Sequence, residues 1–166
     1  MGILHTLRHE KLASYLKPEF KGNELSVVME LSEGGTLKNH IQNQGKMSED
    51  EIVLLVRQML EGLSYLHQAG VLHKDLKPSN ILMKGFDIKL SDYALAELVD
   101  PRLSACRKEQ QRSDELHRGD SLPYMAPEVI KDIEVTEKSD VWSFGCVVLE
   151  MLTGRVPWLH LSNNWS

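Results

Sequence analysis

From Ser48 to Gly70 the sequence specifies one helix strongly, and every other part of the chain has to be arranged around it. Ser48 and Glu51 stand three apart as an S-x-x-E pair. In that pairing the serine hydroxyl accepts from a first-turn N–H while the glutamate reaches back to the serine's own N–H. Behind them Ile52, Leu55, Val56, Met59, Leu63 and Leu66 form a continuous apolar stripe at helical spacing. Gly70, tolerant of the left-handed conformation, ends it. A helix with one apolar face has to bury that face against other elements.

The flanks change period. Two β-like runs, near residues 12–15 and 25–30, enclose Lys21-Gly22-Asn23 and predict a hairpin. Glu33-Gly34-Gly35-Thr36 is a loop leading into a short helix over residues 37–42. After Gly70 come short strand-like pieces at 71–72, 81–83 and 88–90, the last two joined at Lys84-Gly85. Residues 94–120 read as a long loop. A final apolar helix is expected from about Ser139 to Thr153, with Gly154 as its stop.

Composition removes several classes of function. Lys plus Arg number 19 against 24 Asp plus Glu, a net charge of −5, which is no basic footprint for nucleic acid. Cys106 and Cys146 have no ligand-type spacing and suit a reducing compartment better than a disulfide framework. No apolar run reaches the roughly 18–20 residues of a membrane span, and the first residues are no secretory signal. The default location is the cytoplasm. His5 and His9 lie four apart, but without the Glu of H-E-x-x-H or a third ligand they read as structural.

The chemistry concentrates in His73-Lys74-Asp75-Leu76-Lys77-Pro78-Ser79-Asn80, where a carboxylate, an ammonium and an amide can converge. Ser91-Asp92-Tyr93-Ala94 follows a short strand, then Tyr124-Met125-Ala126-Pro127-Glu128, then Ser139-Asp140-Val141-Trp142-Ser143-Phe144-Gly145. In this order the four segments resemble the protein kinases: H-R-D-L-K-x-x-N, D-F-G, A-P-E and the start of the family's central C-lobe helix.

The resemblance implies roles that the residue chemistry suits. Asp75 would accept the proton of the substrate hydroxyl, and Lys77 would neutralise charge on the transferring phosphoryl group. Asn80 and Asp92 are oxygen ligands suited to Mg²⁺. Lys77 resembles the Ser/Thr-directed kinases. Upstream, Val27-Val28-Met29-Glu30-Leu31-Ser32-Glu33-Gly34-Gly35 resembles a gatekeeper and hinge. Met29 would be the gatekeeper, the Glu30 carbonyl and Ser32 N–H would bond the adenine edge, and Leu82 would pack under the purine. Glu-Gly-Gly-Thr-Leu and Met-Leu-Thr-Gly-Arg-Val-Pro-Trp resemble kinases of the MAP kinase kinase kinase type. His73 would pack and orient its loop, and Ser121 matches a substrate-adjacent hydroxyl.

The pattern also departs from the family. No two of the eleven glycines are separated by a single residue, so G-x-G-x-x-G is absent. The strand Lys and its helix Glu are absent too, and the ion-pair partner of Glu128 is expected beyond residue 166. The helix over residues 144–152 is apolar nearly all round, which implies burial on every side. Lys74 stands for Arg and lacks the planar fork that grips phosphate. Ala94 replaces Gly, and Tyr93 replaces Phe and adds a hydroxyl that needs a partner.

The expected fold is α+β, a protein-kinase-like, mainly helical C-lobe with a remnant of the N-lobe sheet. Residues 1–32 would be the N-lobe remnant and hinge, and 33–166 the C-lobe up to the central helix. The expected function is a serine/threonine protein kinase using ATP and Mg²⁺ on protein hydroxyls. This chain would be a fragment of it, inactive alone. The alternative is a catalytically inactive kinase-like binding or regulatory module.

Overall fold

The computed structural model describes residues 7–21, 24–93, 120–133 and 135–158. An antiparallel hairpin comes first, β1 (Tyr15–Lys21) and β2 (Glu24–Met29), with Tyr15 opposite Met29 and Lys21 opposite Glu24. The hairpin is where the pattern placed one, but β1 starts later than residues 12–15 suggested. Leu12 and Ala13 are buried and serve another partner: Leu12 makes a parallel bridge to Leu90, and Ala13 N donates to Leu90 O at 2.8 Å. The turn at Gly22-Asn23 lies outside the described residues.

Helix α1 (Leu37–Gln44) is capped by Thr36 with Asn39 at N3, and buries Leu37 and Ile41. Helix α2 (Glu49–Gln68) begins at the expected box. Ser48 N–H donates to Glu51 Oε2 at 2.8 Å, and Glu51 N–H donates to Ser48 Oγ at 3.4 Å. The Ser48 hydroxyl, donating to Glu51 Oε2 at 2.7 Å, and then the Ser48 N–H hold the Glu51 carboxyl below its ordinary range. Glu49, Asp50 and Glu51 also complement the helix dipole. The strand expected at 71–72 does not form. Val71 N–H donates to Leu66 O at 2.9 Å, so this pair is the exit from α2, and chain leaving a helix takes its hydrogen bonds from the last turn.

Strands β3 (Ile81–Lys84) and β4 (Asp87–Leu90) form the second antiparallel hairpin, with Ile81 opposite Leu90 and Lys84 opposite Asp87. Gly85 takes φ +61 in the two-residue turn. Gln58 of α2 clamps this hairpin: its amide donates to Phe86 O at 2.8 Å and its carbonyl accepts from Ile88 N–H at 3.1 Å. A buried side-chain amide is stable there because both ends are satisfied.

Helices α3 (Pro127–Ile130) and α4 (Glu137–Thr153) complete the described part. Helix α4 starts two residues before Ser139, because Thr136 and Ser139 make the capping box, and Gly154 stops it at φ +68. The core joins the α2 stripe to Leu37 and Ile41 of α1, the inner sides of β3 and β4, and Val147 and Met151 of α4. Burial of residues 144–152 on every side is not what the described residues provide: Leu149 is 38% and Leu152 50% exposed. The segment 94–119, with Ala94, lies outside the described residues, as does His5.

Candidate active site

The loop after α2 is held from across the molecule. Asp140, on the first turn of α4, accepts from His73 N–H at 2.8 Å through Oδ2 and from Lys74 N–H at 2.9 Å through Oδ1. His67 Nε2 meets the same Oδ2 at 2.7 Å. The Asp140 side chain is only 2% exposed, and its bond to His73 N–H is fully buried while those to Lys74 N–H and His67 are partly so. The two backbone bonds fix Lys74 at φ +67, a conformation non-glycine residues seldom adopt. The His73 ring is fully buried, neither nitrogen has a partner among the described residues, and it meets the Tyr93 ring edge-on. Burial pushes its pKa down despite Asp140 and Asp75 nearby. Wholly buried, this imidazole cannot reach a substrate proton and serves as a packing group.

From this anchored start the chain turns through a 3₁₀ segment, Pro78–Asn80, that brings Asn80 back against Asp75. Asn80 Nδ2 donates to Asp75 O at 2.8 Å and to Asp75 Oδ2 at 3.0 Å. Lys77 Nζ pairs with Asp75 Oδ2 at 2.9 Å and donates to Ser121 Oγ at 2.6 Å. Among the described residues both side-chain contacts to the carboxylate fall on Oδ2, and none of the hydrogen bonds or ion pairs falls on Oδ1. The side chain is 40% exposed, so a substrate can reach it.

Asp92 is delivered to the same place by β4. Ser91 N–H and its hydroxyl both donate to Asn80 O, at 2.9 and 3.1 Å. Asp92 itself sits at φ +58. Its carboxyl is held above the ordinary range, chiefly by burial and further by the Asp75 charge, with Lys77 pulling the other way. Such a carboxylate is stabilised by a cation. The donor set therefore fits Mg²⁺, a hard ion that takes few protein oxygens beside phosphate and water. No group of three His, Cys, Asp or Glu suited to a metal occurs among the described residues.

The third part is the segment after β2. Met29 closes the strand, half-buried. Glu30 N–H donates to Ser14 O at 3.0 Å, and the Glu30 carboxylate pairs with Lys89 at 2.8 and 2.9 Å. Ser32 Oγ donates to Met83 O at 2.7 Å, and Met83 N–H donates to Gly35 O at 3.0 Å. Gly34 is required here, since a Cβ on it would lie 2.1 Å from Met83 O. Residues 30–36 are thus strapped to β3, where Leu82 stands two residues after Asn80. A cleft of about 220 Å³ is lined by Glu30, Ser32, Leu82 and Lys89 among others. A larger recess of about 470 Å³ between α2 and α4 contains none of the eight residues singled out by the sequence.

The structure brings Asp75, Lys77, Asn80 and Asp92 into one cluster and ties Glu30, Ser32 and Leu82 to the neighbouring hairpin. Ser121, read from the sequence as a substrate-adjacent hydroxyl, is hydrogen-bonded to Lys77. Glu128 accepts from Ser139 Oγ at 2.8 Å, a partner the sequence did not suggest. Sequence reasoning quoted Asp140 within a motif without giving it work, and missed Tyr15, whose hydroxyl accepts from Asp92 N–H at 2.6 Å. It missed Glu150 too, a carboxyl raised by burial that accepts from the Tyr124 hydroxyl. The one available signal was an acidic residue, Glu150, inside an apolar helix. The Tyr93 hydroxyl finds its partner in Ala13 O at 2.8 Å. His9 stacks on Tyr65 and accepts from Lys11 N–H, a structural role.

The family model described as "Protein kinase domain" matches residues 1–165. The serine/threonine-protein kinase STE11 of Saccharomyces cerevisiae is 36% identical over 164 residues, 98% of this chain and 22% of its own length. The MAP kinase kinase kinase wis4 of Schizosaccharomyces pombe is 35% identical over 171 residues, covering 100% of this chain and 12% of its own. SSK2 of S. cerevisiae, also a MAP kinase kinase kinase, is 37% identical, covering 100% of this chain and 12% of its own. This chain therefore spans less than a quarter of these relatives. The crystal structure of Rad53 1–466 with AMP-PNP superposes with a TM-score of 0.71 at 30% identity, over 93% of this chain and 37% of that one.

Proposed function

Because this chain belongs to the protein kinase domain family, we propose that it carries the proton-accepting, metal-holding and hinge parts of a serine/threonine protein kinase, of the MAP kinase kinase kinase type. The observation that carries the reading is the convergence on one Asp75 oxygen of Lys77 at 2.9 Å and Asn80 at 3.0 Å, with Asp92 held beside them through Ser91. Phosphoryl transfer needs chiefly such positioning and fixed charge.

Asp75 Oδ1 orients the substrate hydroxyl and takes its proton. Lys77 lies between Asp75 and Ser121, placed to balance charge on the moving phosphoryl group and to favour Ser or Thr at the acceptor. Asn80 Oδ1 and the Asp92 carboxylate would hold Mg²⁺. Bound there with ATP, the ion supplies charge neutralisation on the phosphates. The Glu30 carbonyl and Ser32 N–H are offered to the adenine edge, with Met29 behind and Leu82 beneath the purine. The Glu30–Lys89 and Ser32–Met83 contacts keep that backbone in place. Residues 1–32 act as N-lobe and hinge and 33–166 as C-lobe. The partners are ATP and a protein bearing a Ser or Thr hydroxyl, in the cytoplasm. Among the described residues no helix is long and apolar enough to cross a membrane.

The second reading is a catalytically inactive kinase-like binding or regulatory module; within these 166 residues there is no G-x-G-x-x-G to cradle phosphates. On the kinase reading they bind nucleotide through hinge and metal but do not transfer phosphate by themselves. The test is titration of the ¹⁵N-labelled chain with Mg²⁺-AMP-PNP, followed by NMR. The kinase reading predicts amide shifts concentrated at Ser32, Leu82, Asn80 and Asp92. Shifts absent or scattered up to millimolar nucleotide would leave the module reading standing.

A further inference from the structure

Two contacts between residues 13–15 and the Asp92 segment are not explained by backbone pairing. Leu90 N–H donates to Lys11 O at 2.9 Å, and Ala13 N–H donates to Leu90 O at 2.8 Å; these are the two bonds of the parallel bridge at Leu12 and Leu90. The bridge stops there, because Ser91 turns both its N–H and its hydroxyl onto Asn80 O. Two phenols carry the attachment further. Asp92 N–H donates to the Tyr15 hydroxyl oxygen at 2.6 Å, and the Tyr93 hydroxyl donates to Ala13 O at 2.8 Å. The two rings meet edge to face, with centroids 5.2 Å apart.

We propose that Tyr15 and Tyr93 are positioning residues whose crossed hydroxyl bonds set the direction of the Asp92 carboxylate. The inference rests on the reading of Asp92 as a metal ligand. Asp92 sits at φ +58, a region with little intrinsic preference for a residue bearing a side chain. It stays there because its own N–H is pinned by Tyr15 while the next side chain is pinned by Tyr93. A backbone rotation at Asp92 that carried its side chain away would have to break both bonds. Both hydroxyls are phenols, neutral at ordinary pH. A neutral phenol can accept from an N–H and keep its own proton. Phenylalanine would keep the ring contact and lose only the hydrogen bond, so the hydroxyls can be tested apart from the packing. The bonds also belong to this particular sequence, since Tyr93 stands where the family pattern has Phe.

The test uses the ¹⁵N-labelled 166-residue chain with Tyr15→Phe, Tyr93→Phe and Asp92→Asn. The readouts are amide hydrogen exchange and line broadening by added Mn²⁺. Tyr15→Phe should speed exchange of the Asp92 amide by roughly tenfold, the factor that one ordinary hydrogen bond sustains. Both Phe variants should raise the Mn²⁺ concentration needed to broaden Asn80 and Asp92 by about three- to tenfold. Exchange at Leu55 and Met59 in α2 should stay unchanged. Unchanged exchange at Asp92 in Tyr15→Phe overturns the proposal. So does faster exchange with undiminished Mn²⁺ broadening, when Asp92→Asn abolishes that broadening. Loss of protection in α2 would make the hydroxyl a determinant of the whole fold and equally overturn it. If Asp92→Asn leaves broadening intact, the metal reading fails, and positioning of the carboxylate for a metal fails with it. Faster Asp92 exchange in that case would show the hydroxyl bond to be real, which distinguishes the two failures.

Discussion

Replacing Asp140 by alanine should loosen the loop that carries Asp75 before it affects anything else. The side chain accepts from His73 N–H, Lys74 N–H and His67 Nε2, at 2.8, 2.9 and 2.7 Å. A buried N–H left without an acceptor costs about 1–3 kcal/mol. The His73 N–H is fully buried and should cost near the top of that range, whereas the Lys74 N–H is partly buried and recovers some of its loss from water. Lys74 also loses the bond that holds it at φ +67. Together these give a loss of about 3–5 kcal/mol, a large part of the roughly 5–15 kcal/mol that stabilises a domain. Asp140→Asn keeps one acceptor oxygen and turns an NH₂ toward a donor, so its loss should be about half as large. Urea denaturation followed by circular dichroism measures both. An alanine variant within about 1 kcal/mol of the parent, or an asparagine variant less stable than the alanine one, would refute this account of the anchor.

Two other substitutions test separate joints. Gly34→Ala places a Cβ 2.1 Å from Met83 O, so residues 30–36 must move off β3. A loss of about 1–3 kcal/mol is expected in urea melts, and a loss below about 0.5 kcal/mol would mean the strap is not tight. His73 has its pKa lowered by burial from 6.5, so below that pH the unfolded chain binds a proton that the folded chain resists. Stability should therefore fall as pH drops from 6.5 toward the lower folded value, by up to about 1.4 kcal/mol per pH unit. His73→Phe should remove that slope in a series of thermal melts, and an unchanged slope would assign it to other groups.

What could be read from the sequence was local. The α2 cap, its stripe and the β3–β4 turn are set by residues within a few positions of one another, and they occur where the pattern put them. The site cluster was legible because Asp75, Lys77 and Asn80 lie within six positions and fold back through one 3₁₀ turn. Illegible were the contacts made across the chain. Tyr15 meets Asp92 from 77 residues away, and Asp140 meets His73 from 67. No period or cap marks a hydroxyl or carboxylate that will satisfy a distant N–H. The same cause explains residues 12–13, which look like the start of a strand yet pair with Leu90 instead. Val71-Leu72 carry strand-like side chains, but the preceding helix had already committed their backbone.

The central claim is that Asp75 and its neighbours are the apparatus of a serine/threonine kinase. The protein carrying this sequence can be captured from its own cells with an antibody to residues 109–120 and incubated with Mg²⁺ and [γ-³²P]ATP, using a Ser- and Thr-rich protein as acceptor. The account predicts label on phosphoserine or phosphothreonine after acid hydrolysis, and its loss by a factor of at least about 10³ in an Asp75→Asn version expressed in the same cells. Label that persists in Asp75→Asn, or none from the parent protein, would contradict it.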